Sequence, residues 1–553
     1  MNERPLVPAP LARGTHGAVV APHHLATAAG LGILRAGGSA VDAAIATNAV
    51  LAVVAADSCG VGGDAFWLIW DAASRRQLAL NGSGRSAAAT DAAGLGAAGH
   101  QRIPVKGALS ITVPGAVRSW GDAHARFGRL SRDVVLAPAI ELARDGFAAT
   151  NTFAAEVEAM APLARAAVAG DGFDRVFRSA GHAWRPGDRV RLPALAATLE
   201  RLAREGFDVF YDGDLGERQA RALGAAGSPI TAGDMREHRS TWAEPIGIDY
   251  RGVRATTHPP NSSGVVALQI LGVLARLEPP APTAFGPQGV TDAAWIHAGI
   301  EASKIALADR DRFLTDPEVH DVPVAELLDP SRLADIAAGI ERSRSPGDAI
   351  AVNPGRGDTV YMATVDREGN AVSLIESNWD GFGSGVVDPE TGIHYHNRGA
   401  YFSLEPESVN VLAPRKRPLH TLLPGMLFRD GDPSPWIVIG SMGGDAQPQV
   451  HAQFVSAVVD GRVDIATAVA APRWFVQPRE LLAPAIDVLF EPRHAAGLAD
   501  ELTARGHHLI PTAPFDRNVG LEHAIEFVDG GPAVGGSLSA ATDPRSDGLP
   551  SVW

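Results

Sequence analysis

The chain has 553 residues, 46% of them hydrophobic and 20% charged, a balance that excludes a disordered protein and supplies a large core. Lys and Arg number 48 against 63 Asp and Glu, a net charge of −15, which argues against nucleic acid or an anionic membrane as partner and for a soluble enzyme. One cysteine, Cys59, excludes an internal disulfide and removes any need for an oxidising compartment.

The opening MNERPLVPAP holds no apolar run of the secretory kind. No stretch of about 18 uninterrupted apolar residues predicts a transmembrane helix. The expected location is therefore cytoplasmic, and the sequons at Asn81 and Asn261 read as ordinary loop sequence. From His24 to Ala56 an Ala-rich run broken at Gly37-Gly38 predicts two buried helices with a C-cap between them. SCGVGGDAFWLIWD is a Gly-rich turn into a strand, and RQLALNGSGRS a second strand ending in a tight loop. Segments 115–170 and 190–226 read as helical, GIDYRGVRATTHPP as a hairpin, and Thr291 to Leu314 as a long amphipathic helix. Ser343 to Asp358 is the most linker-like internal stretch. Strands then dominate through Ser377 and again in SPWIVIGSMGG. The tail reads strand, helix, strand, then a hairpin at HAIEFVDGGPAVGGSL. Helix-rich first part and strand-rich second part predict an α/β fold of two packed sheets with helices outside.

Several motifs carry no chemistry here. GLGAAG, Gly94 to Gly99, fits a dinucleotide fingerprint, but it does not follow a strand or open a helix. The RGD at Arg356 to Asp358 has no adhesion role in a cytoplasmic chain. No G-x-S-x-G elbow or H-E-x-x-H zinc helix occurs. The pairs His23-His24 and His507-His508 lack further ligands at metal spacing and read as surface or capping histidines.

The junction Asp358-Thr359 is different. A Pro/Gly/Arg-rich loop runs straight into the strand TVYMATV. A hydroxyl is a poor nucleophile unless a base sits beside it. If the chain were cut before Thr359, the new α-amine, with a pKa of about 7.7–8.0, could serve as that base. The alternative is a threonine that merely begins a strand, where the residue is common.

GDTVYMATVDREGNAVSLIESN with the following GFGSGV, PRKRPLHTLLPGM, IGSMGGD, and ILRAGGSAVDAAIATNAVLAVVAADSCGVGGD near the start together resemble the γ-glutamyltransferases, members of the N-terminal nucleophile hydrolases. The match runs in order over nearly the whole chain, about His16 to Gly548. The resemblance implies an αββα four-layer sandwich and self-cleavage between Asp358 and Thr359. The products would be a large segment 1–358 and a small segment 359–553, which stay together as one intertwined catalytic unit; a homo-oligomer of such pairs is compatible with it. It also implies acyl-enzyme formation on Thr359, with release by water or an amine acceptor, and needs no metal or organic cofactor. Gly443 and Gly444 match the oxyanion-hole glycines, whose adjacent N–H groups can meet a developing oxyanion unobstructed. Ser377 matches the hydroxyl residue that orients the nucleophile, and Asn378 beside it joins the substrate-binding set.

Arg85 matches the arginine that grips a substrate carboxylate, a task that suits a guanidinium fork. The glutamate-specific members carry a Gln and an Asp where this chain has Arg398 and Tyr401, and paired serines where it has His420 and Thr421. Tyrosine offers no negative charge to an ammonium at neutral pH. Carboxylate recognition is thus expected to persist and α-amino recognition to fail. The implied function is hydrolysis or transfer of a carboxylate-bearing amide, whether γ-glutamyl, oxamate-like or glutaryl-like. This branch is similar to the oxamate amidohydrolases and glutaryl-cephalosporin acylases. The alternatives are a true γ-glutamyl transpeptidase or glutathione hydrolase and, from another class, a non-catalytic scaffold homologue.

Overall fold

The computed structural model describes residues 11–340, 357–478 and 486–553, apart from 169, 180 and 433. The linker-like stretch from Ser343 therefore lies outside the described residues as far as 356, as do the N-terminal decapeptide and Arg356 of the RGD. Gly357 and Asp358 lie within them.

The molecule is built on two seven-stranded antiparallel sheets. The first runs, edge to edge, through Ser551–Val552, Ala18–Val20, Asp358–Val365, Ala371–Trp379, Asp64–Asp71, Arg76–Gly82 and Thr241–Ala243. The second runs through Leu11–Gly14, Ser537–Thr542, Leu521–Val528, Ile437–Met442, Gly425–Arg429, Val253–Thr257 and Ile246–Tyr250. Each sheet draws strands from both sides of the 358–359 bond.

The strand period of two sorts side chains between layers. On the strand beginning at Asp358, Val360 and Met362 pack outward with the helix Ala40–Val54, while Tyr361, Ala363 and Val365 pack inward between the sheets. On its partner, Val372 and Leu374 face the helices and Ile375 faces the inter-sheet core. The helix Ala40–Val54 is apolar nearly all round and every residue of it is buried, as the sequence predicts. On the outer face of the second sheet lie Gly264–Leu274, Ala293–Phe313 and Gln447–Val459. The layers are helix, sheet, sheet, helix: the expected αββα sandwich.

Three local readings change. The helix Ala293–Phe313 is less one-sided than its amphipathic pattern suggests; Glu301, Lys304 and Arg310 are buried along with its apolar face. Asn81 lies in the strand Arg76–Gly82, whereas Asn261 is in a turn, as expected, but not an exposed one. Both are buried, and Asn81 donates to Asn261 Oδ1 at 2.8 Å. His507 is not at the surface; it is buried against His297, with ring nitrogens 2.7 Å apart. His23, by contrast, caps the helix His24–Arg35 by accepting from Leu25 N.

The two sheets come close where Tyr361 crosses Gly440. A Cβ on Gly440 would lie 2.1 Å from the Tyr361 ring, so only glycine leaves room for the aromatic. Gly440→Ala is expected to cost about 1–3 kcal/mol by overpacking, read as a lowered thermal unfolding midpoint.

Candidate active site

Thr359 is buried near the start of its strand, at an irregularity in register. Asp358 pairs with Trp379 and Val360 with Glu376, so the ladder slips at the threonine. Thr359 and Ser377 sit on the inter-sheet face, and their hydroxyls meet. Thr359 Oγ1 donates to Ser377 Oγ at 3.0 Å. Ser377 in turn donates to the main-chain carbonyl of Asp358 at 2.7 Å and accepts from Trp379 N at 2.7 Å. In the uncut chain one serine thus joins the predicted nucleophile to the carbonyl of the predicted scissile bond.

The facing sheet supplies the other wall. Strand Ile437–Met442 ends in Gly443 (φ 120°) and Gly444 (φ 55°), conformations that L side chains avoid. Gly357 lies directly on this turn: a Cβ there would be 2.5 Å from Gly444 Cα, and one on Gly443 would be 2.9 Å from Gly520 Cα. The turn therefore presents two successive N–H groups with no side chain of their own, beside the backbone that leads into Thr359. Pro448 lies in the first turn of the helix Gln447–Val459 that follows, as the sequence predicts.

A second group of predicted residues gathers around Arg398. Its guanidinium is buried, lies 5.7 Å from the Trp379 ring centre and 5.1 Å from that of Tyr401, and donates through Nη1 to Thr421 Oγ1 at 3.1 Å. Among the described residues Nη2 has no hydrogen-bond partner and no carboxylate comes within 4 Å. Burial lowers its pKa to about 10, opposed by Tyr401, Asp64 and Asp445, so it stays charged at neutral pH. Tyr401 donates to Asp445 Oδ1 at 3.4 Å, and Arg310 holds the same oxygen at 2.6 Å. Asp445 follows the Gly443-Gly444 turn directly, so these contacts tie the two groups together.

His420 is buried beside Asp64, with Nε2 3.3 Å from Oδ2. Burial, then Arg398 and His396, lower the His420 pKa to about 3 against the pull of Asp64. It is therefore neutral, and its bonds fit a proton on Nε2 with Nδ1 accepting from Leu422 N. Burial would raise the Asp64 pKa; His396, His420 and Arg398 outweigh it and hold it at about 2. Gly84 N and Gly115 N also donate to this carboxylate. The loop carrying His420 and Thr421 is fastened by Asn261, which accepts from His420 N and donates to the Pro418 carbonyl.

Two predicted residues stand apart from this arrangement. Arg85 is paired with Glu318 at 2.6 Å, beside Arg417, which bonds the other oxygen of that carboxylate at 3.0 Å. Its charge is already answered. Asn378 points to the face opposite Ser377, because neighbours on a strand alternate; its side chain packs over Gly60 and Gly63. Trp379, Asp64, Asp445 and Arg310 were not singled out from sequence. Asp445 follows the glycine pair and Asp64 ends the Gly-rich GVGGD, signals that adjacency alone could have raised.

Elsewhere, His297, Glu301 and His507 place ligand-type atoms within 4.8 Å of one another. His297 and His507 bond directly, and Lys304 holds Glu301 at 3.0 Å. The cluster thus reads as a hydrogen-bonded core network.

A family model described as Gamma-glutamyltranspeptidase matches residues 26–553. The oxamate amidohydrolase proenzyme of Klebsiella pneumoniae is 40% identical over 547 residues, covering 97% of this chain and 98% of that protein. The glutathione hydrolase-like YwrD proenzyme of Bacillus subtilis is 36% identical, covering 97% and 98%. The crystal structure of a cephalosporin acylase from Bacillus halodurans superposes with a TM-score of 0.89 at 34% identity, covering 100% of this chain and 99% of that one.

The Asp64 pKa lies below its unfolded value of 3.8. The ionised carboxylate therefore adds stability that is complete above that value and is lost as pH falls toward about 2. Asp64→Asn is expected to lose about 2 kcal/mol at neutral pH. In guanidinium unfolding, the gap to the parent chain should close only as pH drops below the unfolded value.

Proposed function

The chain belongs to the gamma-glutamyltranspeptidase family and is an amide hydrolase or acyltransferase of it; from that premise we propose that it is a self-processing enzyme whose nucleophile is Thr359. The observation that carries this reading is the run of hydroxyls from Thr359 through Ser377 to the Asp358 carbonyl, at 3.0 and 2.7 Å. Attack of Thr359 Oγ on that carbonyl carbon releases a proton, and the carbonyl oxygen gains electron density. Ser377 can take the first proton and give its own to the second, so the step needs no external base. Collapse breaks the C–N bond, the proton passes to the Thr359 nitrogen, and an ester links Asp358 to Thr359. Water hydrolyses the ester, leaving a carboxylate on Asp358 and a free α-amine on Thr359.

The same threonine then acts on substrate, with its α-amine as base. The N–H groups of Gly443 and Gly444 would receive the oxyanion; loss of one such donor typically costs about 2.7–4 kcal/mol. Departure of Gly357 from the turn is what opens that place. The acyl group leaves Thr359 with water or an amine.

For the substrate, Arg398 is the carboxylate anchor we favour. It is buried and charged, with an unpartnered Nη2, whereas Arg85 is already paired with Glu318. Tyr401 and Trp379 wall the guanidinium without offering an ammonium a charge. This supports a short acyl group bearing a carboxylate, of the oxamate or glutaryl kind. A γ-glutamyl substrate is the second reading, favoured by Asp445 beside Tyr401, although Arg310 already holds that carboxylate.

A denaturing gel should resolve fragments of 358 and 195 residues, and Thr359→Ala should leave one band. A single band from the parent chain after long incubation would overturn the nucleophile assignment. Oxamate and glutaryl anilide should be turned over in preference to γ-glutamyl-p-nitroanilide; the reverse order would sink the substrate assignment. Arg398→Gln should lower kcat/KM on the preferred carboxylate by about 30-fold or more, the worth of a charged hydrogen-bonded pair.

A further inference from the structure

The strand Ala371–Trp379 runs into a loop of unusual backbone. Trp379, Gly381, Phe382 and Gly383 all have positive φ, at 77°, 26°, 53° and 65°. Two of them are bulky aromatics, for which that region is costly, so the loop needs support from outside itself. Part comes through Phe382, whose ring packs on Phe173 and Phe177 and whose N–H donates to the Asp57 carbonyl at 2.7 Å. Much of the rest comes from Lys106. Its Nζ donates to the carbonyls of Asp380, Gly381 and Gly383 at 2.6, 3.0 and 2.9 Å and lies 3.0 Å from the Asp380 carboxylate. The next residue, Gly107, donates to the Ser384 carbonyl at 2.8 Å. Four oxygens thus share three ammonium protons. Carbonyls turned toward one point repel one another unless a cation sits among them.

This loop reaches the predicted scissile bond through one peptide unit. The Asp380 carbonyl and the Gly381 N–H belong to the same planar group, and in a trans peptide they point in opposite directions. Lys106 grips the carbonyl edge at 2.6 Å, and Asp358 Oδ2 accepts from the N–H edge at 3.0 Å. The main chain of Asp358 is held separately, its carbonyl accepting from Ser377 Oγ at 2.7 Å. Asp358 is therefore pinned at two points, side chain and carbonyl, immediately before Thr359. Without the cation the 380–381 peptide is free to turn about its flanking bonds, and the side-chain pin turns away with it.

Resting on the self-processing reading above, we propose that Lys106 is a positioning residue for that cleavage: its ammonium fixes the 380–381 peptide, whose N–H steadies Asp358 at the bond to be cut. Lys106 exchanges no proton with the reacting atoms. It lies before the 358–359 bond in the chain and the loop lies after it, so the clamp also ties the two segments together across the cut.

The test follows cleavage of freshly synthesised full-length chain by denaturing gel. Lys106→Met and Asp358→Ala should each slow it about tenfold or more, the worth of a hydrogen bond to a charged group. Because both act through one peptide, the double variant should be no slower than the slower single. Propylammonium, the part of the side chain that Lys106→Ala lacks, should restore rate to that variant and not to Asp358→Ala. Tetramethylammonium, which has no N–H, should restore none. A lysine that served stability alone would give neither the shared defect nor the rescue. A folded Lys106→Met chain, judged by circular dichroism, that cleaves at the parent rate overturns the inference while leaving self-cleavage intact. So do defects that multiply in the double variant, or a folded Lys106→Ala chain indifferent to propylammonium. If the Lys106 variants do not fold, Asp358→Ala decides: slowed cleavage supports the inference and the parent rate overturns it. No cleavage of the parent chain after long incubation overturns the reading beneath it as well.

Discussion

The Ser377 hydroxyl accepts from Trp379 N and Thr359 Oγ1 and donates to the Asp358 carbonyl, and much of the fold is arranged so that these three bonds can coexist. They require Thr359 and Ser377 on one face of one sheet, which fixes the register of the hairpin. They require a slip in that register at the threonine, because a regular ladder would turn the Asp358 carbonyl to its strand partner instead. They also require the facing sheet to come close enough to set a glycine turn over the same point, and Gly440 lets it do so by giving way to Tyr361. A buried hydroxyl with every bond made is worth far more than its mean contribution, since each partner would otherwise be stranded away from water.

Charge is distributed unevenly about this centre. The side of Asp358 is acidic, with Asp57, Glu156 and Asp380, whereas the side of Arg398 holds a guanidinium with no direct ion pair among the described residues. Asp64 offsets that cation from a distance, its own charge sustained by His420, His396 and two backbone N–H groups. A buried cation without a contact partner is costly, and the proposed carboxylate substrate would supply the missing pair. The two halves meet at Asp445, bound by Arg310 and Tyr401 and joined directly to the glycine turn.

Much of this was legible in the sequence because it rests on local patterns. Periods of two and 3.6, the Gly37-Gly38 break, the Gly443-Gly444 pair and the abrupt start of a strand at Thr359 all lie within short windows. The layer order follows from them. What stayed hidden depends on contacts between segments far apart in the chain. Arg85 and Arg398 are both arginines near glycines, and only the position of Glu318 distinguishes a paired charge from an unpaired one. Asn378 adjoins Ser377 in sequence, yet the strand's alternation sends it to the opposite face. Asn81 and Asn261 carry a surface signature in sequence and a buried mutual bond in the fold. Asp64 and Asp445 escaped notice because a carboxylate after a glycine is commonplace until its partners are known.

The interleaving of strands from either side of residue 358 has a consequence for assembly. The strand Asp358–Val365 lies between Ala18–Val20 and Ala371–Trp379, and the second sheet mixes Leu11–Gly14 and Val253–Thr257 with strands from beyond residue 420. Neither segment alone can close a sheet, so each, expressed by itself, would expose long unpaired edges, the usual templates for aggregation. Translation as one polypeptide keeps every strand within reach of its neighbour until the ladders form. In a chain that processes itself as proposed, the covalent link at Asp358–Thr359 would serve as a folding tether, useful during synthesis and dispensable once the strands are interlocked.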